Sequence, residues 1–138
     1  MIKIFYYLLI TTLISLSVKA NEFPLDPNII YGKLDNNLTY YIRENQNPKD
    51  KAYIKMVIKA GSVMEEEHQQ GLAHLLEHMA FNGSKNFPKR SVDEFMSSIG
   101  LNIGTHYNAS TGFFTTNYEY EIPTSDPKNL ETVIKIFA

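Results

Sequence analysis

The sequence predicts an α+β fold, a mainly antiparallel sheet with helices packed on it. Three observations point there. The runs Ala52 to Ala60 and Thr115 to Ile122 alternate with the period of two that a half-buried strand requires. Leu72, Leu75, Leu76 and Met79 recur at i, i+3, i+4 and i+7, the spacing of one helix face. Taken along the chain, the segments read β-β-β-α-α-β-β-α, an order that layers helices on a sheet.

Residues 21–28 hold Pro24 and Pro27 and read as an extended leader. Ile29 to Leu34 and Leu38 to Glu44 are β-rich runs around Asp35-Asn36-Asn37, a hairpin signal. Asn45 to Asp50 is a polar loop. In the next strand Tyr53, Lys55, Val57 and Lys59 share one face and Ile54, Met56 and Ile58 the other; Gly61 closes it. Glu65-Glu66-Glu67-His68 reads as a solvated acidic approach to a helix, favoured by the helix dipole; the other role open to it is an extra metal ligand.

The helix that follows should bury its Leu72-Leu75-Leu76-Met79 stripe in the core. Positions 74, 77, 78 and 81 would then border that core. Ser91-Val92-Asp93-Glu94 has the pattern of a capping box with Ser91 at the N-cap, opening a helix that stops at Gly100. Residues 101–109 and 113–122 read as strands joined by Ser110-Thr111-Gly112. The second carries Tyr118, Tyr120 and Ile122 on one face and Asn117, Glu119 and Glu121 on the other, and Pro123 ends it. Asp126-Pro127 is an N-cap with proline at the first helical position. The stripe Leu130, Val133, Ile134 and Phe137 is still running at Ala138, so the chain is expected to stop inside a helix.

The first twenty residues read as an export signal. Lys3 gives a positive start, and Ile4 to Leu16 is apolar apart from Thr11, Thr12 and Ser15. Val18-Lys19-Ala20 offers compact residues at the −3 and −1 positions of a cleavage site. The expected organisation is therefore a signal peptide over 1–20 and one partial domain over 21–138, exported to the periplasm or secreted after cleavage between Ala20 and Asn21. A membrane anchor is the weaker alternative, because the apolar run is short for a bilayer span.

Composition narrows the function classes. The formal charge is −2 over the 138 residues, and loss of Lys3 and Lys19 with the leader makes it more negative. No basic patch stands out, so no nucleic-acid partner is expected. The chain has no cysteine, which excludes a disulfide and a thiolate metal ligand.

The chemistry is concentrated in His74-Leu75-Leu76-Glu77-His78. Two histidines four residues apart on a helix lie one turn apart on one face, where both reach one metal ion. Glu77 lies on the same turn. A hydrolytic zinc needs neutral imidazole or carboxylate ligands, an open position for water and a nearby base for the water's proton. This run supplies two ligands and the base, in the order H-x-x-E-H, the reverse of H-E-x-x-H.

The wider segment from Gln70 to Ser84, with Gly71-Leu72-Ala73 before the motif and Met79-Ala80-Phe81-Asn82-Gly83 after it, resembles the signature of the M16 (pitrilysin/insulinase-type) zinc metallopeptidases. Pro24-Leu25-Asp26-Pro27, Tyr31-Gly32-Lys33-Leu34 and Lys85-Asn86-Phe87-Pro88-Lys89 resemble the exported bacterial members. The resemblance implies the first part of an M16 domain, zinc on His74 and His78, Glu77 as general base, and a third ligand, a glutamate, beyond Ala138. Glu94, Glu119, Glu121 and Glu131 are the nearest substitutes within the chain. Asn108-Ala109-Ser110-Thr111 matches the family's N-A-x-T strand, whose edge pairs with extended substrate; Phe114 and Thr115 stand where acids are usual. Asn108 and Ala109 are the implied substrate-binding residues, and His106 needs no role.

Two functions follow from the resemblance. One is a zinc-dependent endopeptidase acting on peptides or unfolded proteins. The other is a catalytically incomplete remnant that binds peptide, or a partner chain supplying the missing C-terminal part, without hydrolysis. Two imidazoles alone would bind zinc weakly.

Overall fold

A computed structural model describes residues 24–138. The expected signal segment, 1–20, lies outside the described residues. Among the described residues no helix is long and apolar enough to cross a membrane.

The chain divides into two compact units, with the boundary between Glu44 and Asn45. The first holds a β-hairpin of β1 (Ile29–Lys33) and β2 (Thr39–Arg43), paired antiparallel from Ile29 opposite Arg43 to Lys33 opposite Thr39. The turn forms where the Asp-Asn-Asn run predicts it. Asn37 adopts a left-handed φ of 68°, which asparagine tolerates better than most residues, and the Asn36 side chain accepts from the Leu38 N–H.

The second unit is a three-stranded antiparallel sheet of β3 (Lys51–Ile58), β4 (Tyr107–Thr111) and β5 (Thr116–Pro123), in the order β3-β5-β4. Three helices accompany it: α1 (Leu72–Phe81), α2 (Ser91–Ser98) and α3 (Pro127–Phe137). The alternation read from the sequence sets the two faces. Tyr120 and Ile122 are buried and Ala52, Ile54 and Met56 half-buried, while Lys55 pairs with Glu119 at 2.6 Å and Lys51 with Glu121 on the other face.

The core forms where α2 and α3 cover the inner face. Met96, Ile122 and Val133 are fully buried. Tyr107 stacks on Tyr120, and Tyr120 meets Phe137 edge-on with ring centroids 5.0 Å apart. The Tyr107 hydroxyl donates to Asp93 at 3.1 Å. Burial first, and then the Asp93 charge, pushes that hydroxyl up to about 12.

Five expectations are corrected. The leucine stripe of α1 is not core: Leu75 is 55% and Leu76 60% exposed, and Leu72 and Met79 are also exposed. The inward line is instead Ala73, Glu77 and Phe81, with Phe81 against Tyr107 and Tyr118. Periodicity identifies a stripe but not the neighbour it meets, and here the large aromatic at the helix end decides the rotation. Ser91 is not the N-cap of α2. Arg90 holds that place with φ 70°, and the Ser91 hydroxyl donates back to the Pro88 carbonyl at 2.7 Å.

Residues 101–106 are not strand. The Thr105 and His106 N–H groups both donate to Asn102 O, curling the chain until β4 starts at Tyr107. The β4–β5 turn accordingly shifts from 110–112 to 112–115, closed by the Gly112 N–H on Thr115 O. In α3, Val133 and the half-buried Leu130 and Phe137 face in as expected, but Ile134 is exposed. Asp126 does cap that helix, accepting from the Lys128 N–H at 2.9 Å.

The reassigned core gives a paired prediction. Ile122→Ala should lower unfolding free energy by about 2–5 kcal/mol, the usual cost of emptying a buried aliphatic site. Leu76→Ala should change it by less than about 0.5 kcal/mol. Urea denaturation of the two variants checks both; equal losses would return the leucine stripe to the core.

Candidate metal centre

The candidate centre is built on α1, and the chain ahead of that helix fixes its start. Gly71 takes φ +87°, a conformation that disfavours any side chain. Its N–H and that of Ala73 donate to the two oxygens of Glu65, at 2.8 and 2.7 Å. One carboxylate thus satisfies two of the free N–H groups at the helix N-terminus, where negative charge is also favoured by the dipole. Glu65 therefore acts as a remote cap, six and eight residues from its partners. Glu66 and Gln69 close a capping box of their own on the short 3₁₀ turn Glu67–Gln69.

A second anchor joins the approach to the sheet. The Ser62 N–H donates to Gly112 O and the Val63 N–H to Phe113 O. A side chain at Gly61 would stand 2.4 Å from Gly112 O, so only glycine lets these backbones meet.

On α1 thus placed, the motif separates by burial. His74 and His78 are exposed, with their Nε2 atoms 3.1 Å apart and ring centroids 4.7 Å apart. Two imidazole nitrogens on one tetrahedral zinc, each at about 2.0–2.1 Å, stand roughly 3.3 Å from one another. The observed separation fits a shared cation, and two facing lone pairs need a proton or a metal between them. Glu77, on the same turn, is the buried member of the motif. It is only 7% exposed, and its Oε2 accepts from the Thr111 hydroxyl on β4 at 2.7 Å. A buried carboxylate needs such a partner. Tyr118 is close enough to feel it: burial, then the Glu77 charge, holds the Tyr118 hydroxyl above its ordinary value.

The structure brings His74, Glu77 and His78 together with β4, the strand of Asn108 and Ala109. That strand pairs with β5 on one side and forms one edge of the sheet, with Asn108 exposed and Ala109 half-buried. Three of the four substitute third ligands are engaged in ion pairs: Glu119, Glu121 and Glu131 are each paired with a lysine. Among the described residues no group of three metal-binding side chains assembles. His106 accepts at Nδ1 from the Asn102 N–H within its turn.

Sequence reasoning read Glu65 only as part of a solvated acidic approach to the helix and gave Thr111 no role of its own. Thr111 was legible in part, since strand alternation puts it on the inward face with Tyr107 and Ala109. Glu65 had no local signal, because no spacing rule links a helix start to an acid across an intervening 3₁₀ turn.

Comparison with known proteins gives the family of the chain. Residues 40–138 match the model of the family described as Insulinase (Peptidase family M16). Over 116 residues the chain is 40% identical to a probable zinc protease, PqqL, of Haemophilus influenzae, covering 84% of this chain and 12% of that one. The crystal structure of the periplasmic protease PqqL from Escherichia coli superposes with a TM-score of 0.78 at 41% identity, over 83% of this chain and 13% of that one. The ferredoxin protease FusC, solved with Arabidopsis ferredoxin, gives a TM-score of 0.70 at 28% identity, over 79% and 12%. The chain thus spans about an eighth of the length of the relatives it matches.

The remote cap is open to test. Glu65→Ala should cost about 1–2 kcal/mol, at the upper end for a lost helix cap because two N–H groups lose a charged acceptor. Amide exchange at Gly71 and Ala73 should accelerate, while Glu66→Ala leaves both amides protected. Equal exchange in the two variants would remove Glu65 from the role.

Proposed function

The chain belongs to the insulinase (peptidase M16) family, and on that premise we propose that it carries the zinc-binding and proton-transfer part of an exported endopeptidase. The observation that carries the reading is the 3.1 Å approach of the two Nε2 atoms beside a buried carboxylate on the same turn. His74 and His78 are the two ligands from this chain. A third protein ligand, needed for a catalytic zinc, falls outside the described residues, beyond Ala138. Zinc bound there supplies Lewis-acid polarisation of a water and of the scissile carbonyl.

The residues of this chain do the rest. His74 and His78 must both present neutral Nε2 lone pairs, so each imidazole keeps its proton on Nδ1. Glu77 accepts the proton of the attacking water and returns it to the leaving amine. In this reading it serves as a base and not as a ligand, with its Oε2 held by the Thr111 hydroxyl. The exposed edge of β4 offers the backbone of Asn108 and Ala109 to an extended peptide, added as a further strand. Backbone pairing reads main chain more than side chains, which suits unfolded protein and peptide substrates. The periplasmic designation of the Escherichia coli relative and the leader-like residues 1–20 support export.

Glu77→Gln separates base from ligand. In a full-length or reconstituted form that supplies the third ligand, the variant should keep its zinc and lose cleavage of a quenched fluorescent peptide by roughly 10²–10⁴-fold, the range for a lost general acid–base group. The His74→Ala/His78→Ala double variant should lose zinc itself, read by metal analysis after dialysis. Chelator-sensitive cleavage that survives Glu77→Gln would contradict the mechanism.

A further inference from the structure

We propose that Thr111 is the positioning residue for the base: its hydroxyl holds Glu77 through one carboxylate oxygen and so ties the motif helix to the strand edge assigned to substrate. The inference rests on the reading of Glu77 given above and adds to it a second residue, on a different element.

The direction of the hydrogen bonds carries the argument. A threonine hydroxyl has one proton to donate. Thr111 Oγ1 lies 2.7 Å from Glu77 Oε2 and 3.5 Å from Thr116 Oγ1. The Thr116 hydroxyl in turn donates to Ala60 O at 3.0 Å, the carbonyl at the end of the strand that leads into the Gly61 junction. With that proton committed, Thr116 is at most an acceptor for Thr111, and at the longer distance. The Thr111 proton therefore goes to the carboxylate, where a charge-assisted bond is roughly twice as strong as a neutral one.

A purely structural role explains this poorly. A hydroxyl at a strand end is satisfied as well by a backbone carbonyl, as Thr116 shows. Thr111 instead reaches 34 residues back along the chain to a side chain that is itself buried. Fixing Oε2 fixes the last torsion of Glu77 and leaves Oε1 as the oxygen for the water's proton. The strand that supplies Thr111 also carries Asn108 and Ala109. Peptide added along this edge would meet a base already oriented by the same strand, and orientation of this kind is worth far more than its hydrogen-bond count.

The test compares Thr111→Val, which keeps the shape and removes the hydroxyl, with Thr111→Ser, which keeps the hydroxyl. Three-bond couplings of the Glu77 side chain, measured by NMR on the full chain, should report a single rotamer in wild type and in Thr111→Ser. Thr111→Val should show rotamer averaging. Zinc titration should be the same in all three proteins. In the peptide assay kcat should fall about tenfold or more in Thr111→Val with KM unchanged, and Thr111→Ser should restore it. A single Glu77 rotamer in Thr111→Val would overturn the proposal, as would Thr111→Ser behaving like Thr111→Val. Loss of zinc in Thr111→Val would also overturn it, because the hydroxyl would then hold the whole helix and not the base. The rotamer readout needs no turnover, so a failure of Glu77 as the base, seen as activity in Glu77→Gln, is read separately.

Discussion

A buried carboxylate and the aromatic one turn on together set the rotation of the helix that carries them. Glu77 is drawn inward by Thr111, and Phe81, one turn on, packs against Tyr107 and Tyr118. Side chains at i and i+4 share a face, while those at i and i+3 diverge from it by about 60°. With Glu77 and Phe81 turned inward, His74 and His78 are left exposed together on a neighbouring face. The same rotation exposes Leu72, Leu75, Leu76 and Met79. The exposed imidazole pair, the buried carboxylate and the exposed apolar stripe thus follow from one angle.

The start of the helix is fixed with comparable care. Glu65 closes the N-terminus, Gly71 provides the left-handed residue, and Gly61 allows the preceding backbone to pair with the β4–β5 turn. These contacts span β3, the 3₁₀ turns and the β4–β5 hairpin, so the position of the motif is determined by the sheet and not by the helix alone. Isolated helices of this length are marginal in water, and tertiary anchors of this kind are what make one stand in a defined register.

Much of this was legible in sequence. The H-x-x-E-H run was read as one helix turn, and it does lie on α1 with the two imidazoles adjacent. The hairpin around Asn36 and Asn37, the two faces of β3 and β5, and the Asp126-Pro127 helix start follow from local chemistry and appear as expected. What failed was whatever depended on a distant partner. The leucine stripe looked like core because its period was right, yet Phe81 decided which line faced the sheet. Ser91 lost its capping role to a turn over Pro88, and residues 101–106 curl onto the Asn102 carbonyl. Glu65 and Thr111 matter through contacts that no short window contains. The chain spans about an eighth of the length of two relatives named as probable zinc proteases.

The central claim is that His74 and His78 hold zinc while Glu77 stays off it. X-ray absorption at the zinc edge tests this most directly. The zinc-loaded protein should show imidazole scattering from nitrogens at about 2.0–2.1 Å. That scattering should vanish in the His74→Ala/His78→Ala variant and remain unaltered in Glu77→Gln. A spectrum indifferent to the two histidines, or one that loses an oxygen ligand with Glu77→Gln, would contradict the account.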